Sequence, residues 1–326
     1  MKAVHLSKKV TFQRADLAVH PLCFGLAPLG SMPDTYGYGV TTEEAHATVR
    51  AIFDGGIGFL DTSRNYGVGR SEERIGDVIR ERGGLPKGIV ISSKLDRDFE
   101  TNRFDAARAR RSLEESLRAL GVDRIQLLHL HDPEWAASLD EINGRTGAIA
   151  ELFRMKEEGL VDAVGLAAGR TDIMIPMLKE WDFDALITHN RFTLANRHAE
   201  PMIDLAVERK IAVLNAAPYS GGVLAKGSVQ QPRYAYQKAT AEMLKPIELI
   251  ERICAKHGIP VGAAALQFSM RDPRITSTIV GVSKPERIAQ TVAWASHPIG
   301  EDAWAELLSL PYETSDPEAT RQYTLG

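Results

Sequence analysis

IVISSKLDRDFETNRFDAARARRSLEESLRALGVDRIQLLHLHDP, residues 89–133, carries the pattern that sets the fold. Its first run, Ile89 to Lys94, is short, apolar and β-branched, the mark of a buried strand. Arg103 to Leu120 then reads as an amphipathic helix. Phe104, Leu113, Leu117 and Leu120 fall on one face, with Arg111 and Glu115, and Glu114 and Arg118, paired at i,i+4 outside. Ile125 to Leu130 is a second strand. Strand, helix and strand in this order form the repeating unit of an α/β sheet.

The same alternation extends both ways. Before it come strand Pro21 to Leu26, a helix opened by the capping box Thr41 to Glu44 and continuing to Phe53, strand Ile57 to Asp61 and helix Ser71 to Arg80. After it come helix Gly147 to Glu158, strand Ala163 to Leu166, helix Thr171 to Lys179, strand Ala185 to Thr188, helix Glu200 to Arg209 and strand Ile211 to Asn215. Helices Pro246 to His257 and Val261 to Arg271, strand Ser277 to Val280 and helix Pro285 to Ala295 complete the series. Eight strands, each followed by a helix, predict a closed (β/α)8 TIM barrel rather than an open sheet. The residues before Pro21 suit a β-hairpin under the barrel, and Glu301 to Leu310 an added C-terminal helix. No linker interrupts residues 1–326, so one domain is expected. The longest irregular stretch, Ala225 to Lys245, follows the seventh strand and is expected to overhang the catalytic face.

Composition narrows the function. The chain of 326 residues has 39 Lys and Arg against 43 Asp and Glu, a formal charge of −4, with 44% hydrophobic residues. That balance offers no electrostatic case for nucleic acid or an anionic membrane. No apolar run is long enough to span a bilayer, and the charged N-terminus lacks the apolar stretch of a secretory signal. Cys23 and Cys254 stand far apart in the chain, outside any Cys-x-x-Cys pair, so neither a disulfide framework nor a cysteine zinc site is expected. A reducing cytoplasm is the expected address. Nothing in the pattern speaks to oligomeric state.

Chemistry in such a barrel belongs at the C-terminal ends of the strands. There the second strand brings Asp61, with Tyr66 in the following loop; the third brings Lys94; the fourth brings His129, His131 and Asp132. Singly, each has a bland reading as a turn cap, a packing residue or a core group. Converging on one rim, an acid, a phenol, an ammonium and an imidazole make a proton-transfer site. Lys94 beside the phenol is expected to lower the Tyr66 pKa, and Asp61 to keep the ammonium charged and aimed. His129, two residues before His131, shares its face but lies one layer deeper, as a core group.

This constellation resembles the catalytic tetrad of the aldo-keto reductase superfamily. GFLDTSRNYGVGRSEERIG is similar to its signature segment, and ISSK and LHLHDP to its Lys and His segments. APYSGGVLAKG and IVGVSKPERIAQT are similar to the segments after the seventh strand and around the eighth. HDP and HNRFTL further resemble the D-threo-aldose (L-fucose) 1-dehydrogenase and pyridoxal 4-dehydrogenase branch. The resemblance implies an oxidoreductase that moves hydride between nicotinamide and a carbonyl or hemiacetal carbon of a small sugar or aldehyde, here an aldose oxidised at C1 to a lactone. Aldehyde reduction and pyridoxal oxidation are the alternatives.

The cofactor implied is NAD, with NADP possible, bound without a G-x-G-x-x-G loop. The positions implied to hold it are Gly25, Leu26, Ala27, Asn190, Ala217, Tyr219, Gly222, Gly281, Ser283 and Arg287. Ser283 to Glu286 fits a capping box opening a phosphate-binding helix. Departures from the family pattern are Ala167-Ala168 in place of Ser-Asn, Ala216 in place of a stacking Tyr, and Gly281 in place of a Lys that pairs a 2′-phosphate. The last of these is the ground for expecting NAD to be preferred. Arg64, Asn65, Asp132, Trp135, Asn190 and Arg191 are candidate substrate contacts whose hydrogen-bonding capacity suits a polyhydroxylated molecule. Two rival classes remain at this stage. One is a metal-dependent barrel hydrolase built on His129, His131 and an Asp; the other is a non-catalytic protein that senses cofactor.

Overall fold

The computed structural model describes residues 5–231 and 233–321. Eight parallel strands close into a barrel: β1 (Leu22–Gly25), β2 (Phe59–Asp61), β3 (Val90–Leu95), β4 (Ile125–His131), β5 (Val161–Ala167), β6 (Ala185–His189), β7 (Ala212–Ala216) and β8 (Ser277–Gly281). Each pairs with its sequence neighbours, and β8 returns to β1. The expected hairpin pairs Val10–Thr11 with Ala18–Val19. Its Phe12, Leu17 and Val19 pack on Cys23, Phe59, Val90 and Leu127, plugging the end where the strands begin.

The outer layer is α1 (Thr42–Asp54), α2 (Arg70–Glu81), α3 (Ala106–Leu120), α4 (Ala148–Glu157), α5 (Thr171–Glu180), α6 (Glu200–Glu208), α7 (Ala241–Lys256), α8 (Val261–Arg271), α9 (Pro285–Ala295) and α10 (Glu301–Leu308). Local chemistry sets the ends. Thr41 and Glu44 form the expected capping box at α1. Asp105 caps α3 by accepting from Arg108 N at 2.8 Å, so this helix starts three residues later than Arg103.

Two expectations near the rim need correcting. Helix α7 starts at Ala241, not Pro246, because the Thr240 side chain caps it; Pro246 lies inside, where it can donate no bond. The stretch from Ala225 to Lys245 is also less irregular than expected, for it carries a small hairpin, Arg233–Tyr234 with Gln237–Lys238.

Side chains inside the barrel change character from bottom to top. Alternation along each strand points every second residue inward. Phe59, Val90, Leu127, Ala163, Ala185 and Ala212 make the lower layers apolar. At the opposite mouth the inward positions become Asp61, Lys94, His131 and His189, which line one cavity. The chain beyond α10 crosses this mouth. It is pinned to the loop after β6 by Glu313 N to Ala195 O at 2.9 Å and Arg197 N to Glu313 O at 2.8 Å.

Candidate active site

Asp61 ends β2 and Lys94 stands one residue before the end of β3; both are buried. The Lys94 ammonium spends its three protons on Asp61 Oδ1 at 2.9 Å, Asp61 Oδ2 at 2.7 Å and Thr62 O at 2.7 Å. Ser92 Oγ adds a bond to Asp61 Oδ1 at 2.8 Å. Tyr66 lies in the loop that follows, its ring face 4.7 Å from Lys94 Nζ and its edge set against the His131 ring. Close backbone packing positions that loop. A Cβ on Gly30 would stand 2.6 Å from the Tyr66 carbonyl carbon, so the segment after β1 presses against the catalytic loop only because residue 30 lacks a side chain.

The electrostatics differ from the sequence expectation. Burial first, and then the Asp61 carboxylate with Tyr36 and Asp132, pushes the Tyr66 hydroxyl well above the usual phenol range. Lys94 does not decide the shift: burial and the Asp61 carboxylate outweigh it, and its three protons point at Asp61 and Thr62. In the protein alone Tyr66 is therefore a phenol, a proton donor. His131 behaves oppositely. Burial works against a charged ring, but Asp132 and Asp96 overcome it and raise the imidazole above its ordinary value. His129 is driven well below its ordinary value by burial, with Lys94 and His131 adding to the effect. Its ring occupies the space over Gly165, where a Cβ would lie 2.2 Å from Nδ1, and neither ring nitrogen has a partner.

The cavity brings together Asp61, Asn65, Tyr66, Lys94, His131 and Asp132 with Gly25, Ala27, Ala217 and Gly281. An adjoining cavity contains Ala217, Tyr219, Gly222, Gly281, Ser283 and Arg287, as expected for a cofactor, together with Lys226 and Lys284, which sequence reasoning passed over. These residues fit a dinucleotide. Three cations stand near the start of α9, that helix has no side-chain cap, and the buried Tyr219 hydroxyl has no partner. The capping box expected at Ser283 to Glu286 is absent: Lys284 holds the cap position, and Ser283 lines the cavity, hydrogen-bonded to the Tyr38 side chain.

Other expected contacts are placed elsewhere. Leu26 is wholly buried in the core, and only its neighbours Gly25 and Ala27 reach the cavity. Arg64 turns back toward Glu72, at 3.5 Å, and Glu115, at 3.7 Å, instead of facing substrate. Asn190 and Arg191 are buried and committed to the C-terminal segment: Glu318 accepts from both, and Asp316 pairs Arg191 at 2.7 Å. Trp135 lines an outer cavity and is 40% exposed.

Sequence reasoning missed Asp96, Tyr36, Tyr236 and Arg321. The last three line the same cavity as Tyr66, Lys94 and His131. Glu318 holds the tail there through His189 at 3.1 Å and, within the tail, pairs Arg321 at 2.6 Å. For Asp96 the available signal was its position two residues past Lys94, still at the rim.

The metal reading fails on geometry. His131 Nδ1 is taken by Asp96 at 2.6 Å, and His129 lies a layer below. Among the described residues no three His, Cys, Asp or Glu side chains gather as a metal site requires.

Comparison with known proteins gives the class. Residues 21–310 match the model of the Aldo/keto reductase family, and the chain belongs to that family. It is 30% identical to D-threo-aldose 1-dehydrogenase of Pseudomonas sp over 90% of this chain and 94% of that one. It is 28% identical to pyridoxal 4-dehydrogenase of Microbacterium luteolum over 93% of this chain and 97% of that one. In structure it resembles the holo form of an aldo-keto reductase from Bacillus halodurans, with a TM-score of 0.76 at 20% identity, covering 98% of this chain and all of the other. The protein is an NAD(P)-dependent oxidoreductase.

Proposed function

We propose that the enzyme oxidises a small aldose at C1 to the lactone. The observation that carries this reading is the convergence of Asp61, Tyr66, Lys94 and His131 in one cavity whose lining is part polar, with Asn65, Asp132, His189 and Arg321, and part apolar, with Ala167, Ala168 and Ile187. A polyhydroxylated ring finds hydrogen-bond partners there that a long aliphatic aldehyde leaves unmet. Similarity to an aldose 1-dehydrogenase over most of both chains supports the same substrate class.

When bound, nicotinamide supplies the carbon that takes or gives the hydride. Gly25, Ala27, Ala217 and Gly281 would hold its reactive end, while Tyr219, Gly222, Ser283 and Arg287 would hold the remainder. The chain's own residues manage the proton. Tyr66 exchanges it with the substrate oxygen at Oη, His131 hydrogen-bonds that oxygen, and Lys94 with Asp61 fixes the floor beneath the phenol ring. Because the phenol is held protonated, one specific observation favours a second reading, reduction of an aldehyde by the same residues run in reverse.

The test is an initial-rate panel of aldoses, pyridoxal and simple aldehydes with both nicotinamides, alongside Tyr66→Phe. Aldose turnover that falls about 10²–10⁴-fold in the variant, with cofactor still bound, is the expected result. Turnover of aldehydes but no aldose would select the second reading. Bound cofactor with negligible turnover of every substrate would leave only a sensor. For the cofactor, Gly281 supports NAD while Lys226, Lys284 and Arg287 offer charge to a 2′-phosphate. We expect NAD and NADP to differ by less than roughly a hundredfold in kcat/KM, which corresponds to about 2.7 kcal/mol.

A further inference from the structure

Asp96 lies just past β3 and is completely buried. One oxygen, Oδ1, stands 2.6 Å from His131 Nδ1. The other, Oδ2, accepts from Ser63 Oγ at 2.7 Å and from the backbone N–H of Asn65 at 2.9 Å, and Ser63 Oγ also lies 3.2 Å from His131 Nδ1 as a second, longer contact. Its main chain is fixed as well: Asp96 N donates to Ser112 Oγ at 2.9 Å, and Arg108 Nε donates to Asp96 O at 3.0 Å. Burial alone would favour the neutral acid, but His131, Ser63 and Asn65 hold the group below its ordinary value, so it is a carboxylate.

An ionised carboxylate only accepts hydrogen bonds. The proton of this contact must therefore sit on Nδ1. Nε2 is then the nitrogen left for the cavity, with Asp132 Oδ1 3.6 Å away. A neutral ring held this way offers a lone pair to a substrate hydroxyl, and a protonated ring offers N–H to a carbonyl oxygen. Both directions of the reaction are served by one fixed orientation.

We propose that Asp96 is a positioning residue: it pins His131 as the Nδ1–H tautomer, presents Nε2 to the substrate oxygen and balances the charge of the protonated ring. Through its other oxygen it ties the imidazole to Asn65, the residue before Tyr66, so that the two proton-handling side chains keep their spacing. The turnover part of this proposal rests on the oxidoreductase chemistry above. The tautomer does not, and can be read in the protein alone.

The experiment is NMR of isotope-labelled imidazole nitrogens in the full-length protein across a pH series, wild type against Asp96→Asn and Ser63→Ala. The Asn65 N–H is a fixed donor, so in Asp96→Asn the amide oxygen stays on it and the NH₂ turns to the ring. Nδ1 must then accept, and the neutral ring becomes the Nε2–H tautomer. We expect that inversion, a fall of about one pH unit or more in the His131 midpoint, and a loss of kcat on the order of 10⁴ with cofactor binding retained. The Ser63→Ala protein loses the 3.2 Å contact with Nδ1 but keeps the Asp96 carboxylate, so it retains the wild-type tautomer, with a midpoint shift smaller than that of Asp96→Asn.

Three results would overturn the proposal. They are an Nε2–H tautomer in neutral wild-type His131, an Asp96→Asn protein whose ring titrates as wild type, and a Ser63→Ala protein that reproduces the Asp96→Asn spectra. Should Asp96→Asn fail to fold, the wild-type tautomer still decides. Should the spectra behave as expected while no aldose or aldehyde is turned over, the functional reading fails and the positioning of His131 stands.

Discussion

Replacing Lys94 by methionine removes the cation that the Asp61 carboxylate pairs with. The ammonium is 2% exposed and Asp61 4%. After the change the Asp61 carboxylate keeps only Ser92 Oγ, having lost both Lys94 bonds, and Thr62 O loses its side-chain donor. A buried charge left without its partner costs about 3–5 kcal/mol. Domain stabilities lie near 5–15 kcal/mol, so this is about a fifth or more of an ordinary total. The double variant Asp61→Asn with Lys94→Met removes both charges, and the amide can still bond Ser92. It should recover most of the loss, since a neutral pair of similar volume carries little desolvation penalty. Urea unfolding of the wild type and the single and double variants, followed by far-ultraviolet circular dichroism at one pH, measures both quantities. A Lys94→Met loss below about 1 kcal/mol, or a double variant no more stable than the single, would refute the view that the pair is a dry, mutually dependent unit.

Gly30→Ala should lower kcat about 10²-fold, because the new Cβ would meet the Tyr66 backbone at 2.6 Å and shift the phenol by a fraction of its working distance; steady-state rates at saturating cofactor check this. Glu72, on α2 and buried against Ser93 of β3, is raised to about 7 by burial, so the native state holds a proton there that the unfolded chain releases near pH 4.5. This stabilisation is full below about pH 4.5 and is lost as pH rises to about 7. The span is about 3 kcal/mol, and Glu72→Gln should flatten that part of a stability–pH curve measured by urea unfolding. Tyrosinate absorbance of the cofactor-free protein, taken as the difference from Tyr66→Phe, should show no ionisation of Tyr66 below the ordinary phenol midpoint near 10.

The barrel was legible because its signal is redundant. Each strand-helix unit repeats the same change of period, and an error at one boundary, such as Arg103 for Ala106, leaves the count of eight unchanged. The tetrad was legible because strand ends in a closed barrel share a rim whatever the loops do. Arg64, Asn190 and Arg191 were misplaced for a common reason. Each is a polar residue beside the rim, but its partners, Glu72 and Glu115 for Arg64 and Glu318 for the others, are distant in sequence. Pairing of that kind follows from the tertiary path and leaves no periodic trace. Asp96 was missed because a carboxylate after a strand reads as a turn residue until the imidazole it faces has been located on the neighbouring strand.

The sign of the Tyr66 shift changes how the four residues divide the work. A cation beside a phenol promotes phenolate only if nothing stronger opposes it, and here burial and the Asp61 carboxylate that Lys94 pairs with push the other way. What the ammonium does instead is hold Asp61 and the start of the catalytic loop in one place, with the ring of Tyr66 resting against it at 4.7 Å. Proton affinity at the mouth is thereby split between two groups: Tyr66 keeps its proton, while His131, flanked by Asp96 and Asp132, gains one more readily than a free imidazole. On the function proposed above, a site with those tendencies would give its proton to a carbonyl oxygen. It turns into a base only when a positive charge enters the cavity beside the phenol, so the direction of proton flow is set by what is bound and not by the protein alone.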